Sequence, residues 1–195
     1  ELALIPLIVH LLGDAHAGEA RNQVTQNIDL YPTLMEYFGV GWEHPVHGRS
    51  WWPILQDAGA PGRPYALYGW FGSAVNVADG RCSYMRAAAH ADNQPLFQYG
   101  CMAANYDRWW PRSAFSEIEA GRFLPYTDMP VFRLPVCTPR SRFVEETLLF
   151  DREQDPGQLH NLAGTPLEER YVELLKRAMR ESDAPPEQFQ RLGLD

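Results

Sequence analysis

Hydrophobic positions change their spacing along this chain, and each spacing names an element. Leu2–Leu12 is a continuous apolar run. That pattern predicts a strand covered on both faces in a mostly parallel sheet. Gly13–Asn22 is polar and reads as a loop. Leu30, Leu34 and Phe38 then recur at helical spacing, with Tyr31 and Met35 beside them. They predict a short amphipathic helix that covers the sheet. Asp29 stands where an N-cap carboxylate would accept first-turn N–H groups, and Pro32 falls in that first turn. Gly39 ends the helix where a left-handed residue is wanted. Gly41–Gly48 is a loop carrying His44 and His47, and Trp51–Gln56 fits one helical turn.

Ala58-Gly-Ala-Pro-Gly-Arg-Pro64 is the strongest linker signal. It divides an α/β portion, residues 1–57, from a portion of β character, residues 65–195. Tyr65–Phe71 is aromatic-rich and fits a strand. Val75–Arg86 predicts a hairpin turning at Asp79-Gly80. Leu96–Gly100 fits another strand. Residues 101–140 hold Trp109-Trp110, a helical candidate at Ser113–Ala120 and prolines at 125, 130, 135 and 139. They predict a long packed insertion with little regular structure, a kind of loop that serves function or assembly. Thr147–Asp151 reads as a short strand and Asp155-Pro-Gly157 as a turn. Thr165-Pro-Leu-Glu168 has the form of a capping box with proline at the first helical position. The terminal helix it opens, 166–182, should turn Tyr171, Leu174, Leu175, Ala178 and Met179 inward. Ala184-Pro-Pro186 stops it, and Gln188–Leu192 fits a last helical turn. The expected class is α/β, α+β within this chain: the end of a mostly parallel core sheet, then a small antiparallel sheet packed with the terminal helix.

Composition adds exclusions. With 17 basic and 25 acidic residues the formal charge is −8, which argues against nucleic acid as a general partner. Lys176 is the single lysine, and the arginine excess reads as coding bias. Cys82, Cys101 and Cys137 are too few and too widely spaced for a disulfide framework or a zinc site. Reduced thiols, and with them a cytoplasmic location, are expected. No apolar run is long enough to span a membrane. The chain opens on Glu1 and runs straight into an apolar stretch. The expectation is a C-terminal portion of a longer protein.

Four phrases carry a family resemblance. Ile28-Asp-Leu-Tyr-Pro-Thr-Leu-Met-Glu-Tyr-Phe-Gly39 resembles the D-L-x-P-T-L-x-x-x-x-G helix found late in sulfatases of the alkaline phosphatase superfamily. Pro6-Leu-Ile-Val-His-Leu-Leu-Gly13 is similar to the family's preceding P-L-I-V-x-x-P-G strand, with Leu12 in place of proline. Gly48-Arg-Ser-Trp-Trp-Pro-Ile-Leu55 is similar to its G-x-S-L-x-P-x-L. Leu149-Phe-Asp-Arg-Glu-Gln-Asp-Pro-Gly-Gln-Leu-His-Asn-Leu162 is similar to its L-(F/Y)-D-L-x-x-D-P-x-E-x-x-N-L. The phrases keep the family's order, and the hairpin at Val75–Arg86 falls where sulfatases have a strand–turn–strand. The resemblance covers nearly this whole chain but only the last part of the family's length.

The resemblance implies a full-length enzyme that hydrolyses a sulfate ester, a small molecule or a carbohydrate. It implies a formylglycine nucleophile and a divalent metal, usually calcium, held by hard oxygen ligands. In the family those residues precede the region seen here, so no catalytic or metal-binding residue is expected in this chain. Cys137-Thr-Pro-Arg-Ser-Arg142 imitates the nucleophile motif, but Ser141 occupies the arginine position and the placement is wrong; it reads as a proline-rich loop. Asp14 with His16, and His44 with His47, lack clustered carboxylates and read as exposed loop residues. Candidates for the substrate-pocket rim are His10, at a strand C-terminus, and His90 and Asn93 after the hairpin. Trp70, Phe71, Trp109 and Trp110 are read as packing or subunit-interface residues before an aromatic rim. Two other readings stay open: a phosphonate or phosphodiester hydrolase of the same superfamily, and a non-catalytic binding or assembly module, including a homo-oligomer.

Overall fold

The computed structural model describes residues 5–102, 104, 109–125, 127–136 and 146–195. Its elements are α1 (Leu30–Tyr37), α2 (Trp52–Gln56), β1 (Ala66–Gly69), β2 (Val75–Ala78), β3 (Cys82–Arg86), β4 (Phe97–Gly100), β5 (Glu119–Gly121), β6 (Val131–Pro135), β7 (Leu148–Asp151), α3 (Pro166–Glu181) and α4 (Pro186–Leu192). The strands form two antiparallel sheets, ordered β1-β2-β3-β7 and β4-β6-β5. Strands and helices are thus segregated, as in α+β chains.

The core follows from strand alternation and register. Leu67 pairs with Val77, Val77 with Tyr84, and Tyr84 with Leu149. These residues make one row across the four-stranded sheet, because side chains two apart share a face. Against that face α3 lays Tyr171, Leu175, Ala178 and Met179, all fully buried and at i, i+4, i+7 and i+8. Leu192 and Leu194 close the end of the core. Each large side chain buried this way contributes about 1.5–3 kcal/mol. Two polar ties fix the helix on the sheet: Tyr84 donates to Glu168 (2.8 Å) and Tyr171 to Asp79 (2.9 Å). Leu174, expected inward, is half-buried. Thr165 is the N-cap residue of α3, but the expected capping box does not form. Glu168 accepts the Gly164 N–H (2.6 Å), whereas the Thr165 hydroxyl donates to the Leu162 carbonyl (2.7 Å).

The hairpin stands where its pattern put it. Asp79 Oδ1 accepts the N–H groups of Arg81 (3.1 Å) and Cys82 (2.9 Å), and Gly80 takes φ +93°. The insertion at 101–140 departs from expectation. It supplies β5 and β6, which with β4 make the second sheet. Pro130 and Pro135 punctuate β6 rather than abolish it. Ser113–Ala120 is not a helix: a 3-10 turn covers Arg112–Ser116 and β5 begins at Glu119.

The first portion also departs. Residues 5–11 form no strand, and Ile8 is 91% exposed. A strand exists by pairing, and no described strand pairs with this run. Leu30 and Leu34 of α1, and Phe38 just after it, face solvent, while Pro32 and Thr33 are buried. Asp29 stands at the N-cap position of α1, but its side chain makes no cap hydrogen bond to that helix. It ends a 3-10 turn, Asn27–Asp29, and its carboxylate, wholly buried, gathers several donors. These are the N–H groups of Gln26 and Arg49 (both 2.8 Å), the Trp51 indole (3.3 Å) and Arg63 Nε (3.0 Å to each oxygen). Thr33 accepts the Trp51 N–H (2.8 Å). The stretch expected as a linker is tied back to the same region: Gln23 donates to the carbonyls of Ala58 and Ala60, and Val24 bridges Arg63.

Candidate functional site

The region around two of the three rim candidates, His90 and Asn93, is built by the chain after β3. Arg86 donates to the Leu192 carbonyl (2.9 Å), placing a cation at the C-terminal end of α4. Ala89 donates to the Arg191 carbonyl (2.8 Å). The segment then turns at 90–93, where the Asn93 N–H meets the His90 carbonyl (3.0 Å) and Asn93 adopts φ +56°. Asparagine tolerates that left-handed conformation better than most residues.

Asn93 is wholly buried, and both ends of its amide are engaged. Its nitrogen donates to the Gly72 carbonyl (2.7 Å) and its oxygen accepts from Arg191 Nη1 (2.8 Å). Asn93 therefore offers no surface to a ligand; it positions Arg191. His90 is exposed on the same turn. His10 is exposed in the stretch before the 3-10 turn Leu12–Asp14. The structure brings His90 and Asn93 into one turn and leaves His10 in a separate stretch.

Arg191 was not legible as a site residue. It is 2% exposed and donates from Nε to Gln188 (2.9 Å) and from Nη1 to the Ser73 carbonyl (3.1 Å) as well as to Asn93. Among the described residues no carboxylate hydrogen-bonds to it, and burial alone pulls its guanidinium down to about 10. It lines an open groove of about 330 Å³ with Trp70, Phe71, Tyr68, Leu96 and Gln188. Trp70 is 73% and Phe71 53% exposed. The turn that carries them is clamped: Ser73 donates back to the Trp70 carbonyl, and Asn93 and Arg191 hold the carbonyls of Gly72 and Ser73. The only warning in the sequence was the pair of aromatics beside a turn glycine.

The other singled-out residues are used locally. His16 pairs with Glu19 (3.0 Å), His47 with Asp183 (3.3 Å), and the His44 ring lies 5.7 Å from that of Tyr31. Trp110 is buried and packs on Phe132, while Trp109 is exposed. Cys82 and Cys101 are free; burial pushes the Cys82 thiol up. Cys137 lies outside the described residues. Among the described residues no three His, Cys, Asp or Glu side chains converge as a metal site, so the donor set that calcium needs is not found there. No described helix is long and apolar enough to cross a membrane.

No family model matches this chain, and no curated protein matches it. Similar solved structures include two sulfatase chains of Bacteroides thetaiotaomicron, from a locus that orchestrates the metabolism of multiple glycosaminoglycans. The 6S-sulfatase chain is 12% identical with a TM-score of 0.42, over 79% of this chain and 24% of that one. The 4S-sulfatase chain is 19% identical with a TM-score of 0.45, over 84% and 29%. This chain thus spans less than a third of their length. At that similarity the function has to be argued from the chain's own residues.

Proposed function

We propose that this chain is the C-terminal part of a sulfatase, and that the whole protein hydrolyses a sulfate ester. The observation that carries the reading is that several polar residues of the family-like phrases have a definite structural task. Asp29 and Thr33, from the helix phrase, accept the N–H groups of Arg49 and Trp51, from the next phrase. Gly48 is needed where it stands, since a Cβ there would lie 2.2 Å from the Ile28 carbonyl oxygen. In the last phrase Asn161 accepts the Leu149 N–H (2.9 Å) and donates to the Thr147 carbonyl (3.1 Å). Asp151 accepts from Arg81 (2.6 Å), and Asp155 accepts the His160 N–H (2.8 Å). The phrases are scaffolding that a chemistry-bearing core would share.

In this reading a formylglycine nucleophile and calcium, held by residues outside this chain, supply the sulfate-ester chemistry. The chain's own role is structural. The outward face of α1 and the apolar residues 5–12 pack on the catalytic part, and His90 stands toward the pocket rim. An exposed set containing Ile8, Leu12, Leu34 and Phe38 is what a shared core would leave when seen from one side.

The test is the natural gene product. Its intact mass and a peptide map upstream of Glu1 are measured, and hydrolysis of 4-nitrophenyl sulfate is assayed with and without calcium. A longer chain carrying formylglycine and releasing nitrophenol supports the sulfatase. A longer chain that hydrolyses bis-(4-nitrophenyl) phosphate but not the sulfate moves the reading to the phosphodiester branch. A product of about this length with neither activity ends the catalytic reading.

A further inference from the structure

We propose that the groove between the Trp70–Ser73 turn and α4 is a binding site for a ring that carries one oxyanion, with Arg191 holding the anion and Trp70 the ring. This goes beyond the sulfatase reading, because the site lies wholly within this chain and its test needs no catalysis. A guanidinium has five N–H donors in a fixed fork. Nε and Nη1 of Arg191 are committed to Gln188, Ser73 and Asn93. Nη2 has no hydrogen-bond partner among the described residues. It is also not among the buried side-chain atoms left unpartnered, which are Gln23 Oε1, Asn76 Oδ1, Arg133 Nε and Arg152 Nε. Solvent therefore reaches Nη2, and the cavity that Arg191 lines is this groove.

A positive charge buried without a carboxylate is costly unless something compensates it. The other arginines with little exposure differ: Arg63, 9% exposed, has Asp29. Arg191 instead has three neutral acceptors and one free corner. Gln188 accepts from Arg191 through Oε1, so its amide nitrogen is left as a second donor on the groove wall. Two N–H donors offered from one helix at one groove suit a carboxylate or a sulfate, which present two or more acceptor oxygens. The remaining wall is apolar or aromatic: Leu96, Tyr68, Trp70 and Phe71. Trp70 is exposed on a clamped backbone turn, so its indole is presented at the groove. Because Asn93 and Arg191 hold the same turn, the anion site and the ring site are preorganised together.

The experiment is two-dimensional NMR of this chain, following the indole and arginine side-chain signals while small probes are titrated to millimolar concentrations. The probes are benzoate, benzenesulfonate, benzyl alcohol and inorganic sulfate. Either ring-borne anion should bind at least about tenfold more tightly than benzyl alcohol, the effect of one charge-assisted hydrogen bond. The tighter of benzoate and benzenesulfonate identifies the anion. Arg191→Gln should remove that preference, and Arg191→Lys should restore part of it. Trp70→Ala leaves Arg191 and the core untouched, and should weaken the ring-borne anions about three- to tenfold. It keeps the proposal falsifiable where Arg191→Gln fails to fold. Equal binding of charged and neutral rings, no saturation by either anion, or an unchanged affinity in Trp70→Ala would overturn the site. Failure of sulfate-ester hydrolysis in the longer gene product leaves this result unaffected.

Discussion

Replacing Asp29 by alanine tests whether the first portion hangs on one buried carboxylate. The carboxylate is inaccessible, and Arg63, its ion-pair partner, is 9% exposed. Alanine would strand that guanidinium, which keeps only the Gln26 side chain (2.6 Å) and the His47 carbonyl (2.7 Å). It would also leave the N–H groups of Gln26 and Arg49 without acceptors. Each buried donor left unpaired costs about 1–3 kcal/mol, and breaking a buried pair from one side costs about 3–5 kcal/mol. The two descriptions overlap, so the expected loss is about 3–5 kcal/mol in total. At a urea slope of about 2 kcal/mol per molar, the unfolding midpoint should fall by about 1.5–2.5 M. Trp51, which donates its indole N–H to Asp29, provides the fluorescence signal. Asp29→Asn keeps an acceptor for the backbone and should lose less. Adding Arg63→Met to Asp29→Ala should recover part of the loss, since removing both charges is far milder than removing one. Arg122→Ala is the control: its pair with Asp128 is largely exposed and should contribute under about 1 kcal/mol. An Asp29→Ala midpoint within about 0.5 M of the parent would refute the reasoning.

Gly48→Ala should destabilise by about 1–3 kcal/mol, read as a lower melting temperature, because its Cβ would meet the Ile28 carbonyl oxygen at 2.2 Å; Gly157→Ala, facing a flexible leucine, should be nearly neutral. Leu175→Ala, at a wholly buried position under the sheet, should cost about 2–5 kcal/mol in urea unfolding, and an effect below about 1 kcal/mol would show that α3 is not seated there. The Arg81 hydrogen bond holds the Asp151 carboxyl below its ordinary value of 3.8. That stabilisation is complete above the unfolded value and is lost as pH falls through the folded one, so Asp151→Asn should flatten the acid limb of a stability–pH curve below about pH 4. Tyr84 is pushed up to about 12 by burial and then by its hydrogen bond to Glu168. Its phenol favours the folded state below pH 10, an advantage lost as pH rises toward 12. An ultraviolet titration should therefore show it ionising late, and Glu168→Gln should bring that step to lower pH.

How much was legible depended on whether an element's partners lay close in sequence. The Val75–Arg86 hairpin was readable because alternation and Asp79-Gly80 are local. The terminal helix was readable because Tyr171, Leu175, Ala178 and Met179 repeat on one face. Residues 131–135 were not, because a five-residue strand preceded by one proline and ending on another carries too little pattern, and its partners are 10 to 38 positions away in β5 and β4. Of the rim candidates, Asn93 drew attention as a polar residue after a hairpin, yet its burial turned it into a support for Arg191. Nothing near Arg191 in sequence marked it, since Gln188, Ser73 and Asn93 meet it only through folding.

The sequence by itself determined local elements: the hairpin and its turn, the face of α3 that seeks the core, and the phrases that resemble a sulfatase tail. Periodicity, turn chemistry and capping are set by neighbours within a few residues. Tertiary structure alone decided the roles of the polar residues. It took Asp29 from a helix cap to a buried ion-pair centre, because Arg63, 34 positions away, folds against it. It turned the α1 apolar face outward, because no described element covers that face. It also left Arg191 buried with a free corner at the Trp70 groove, because strand register and helix packing, rather than any motif, bring those groups together.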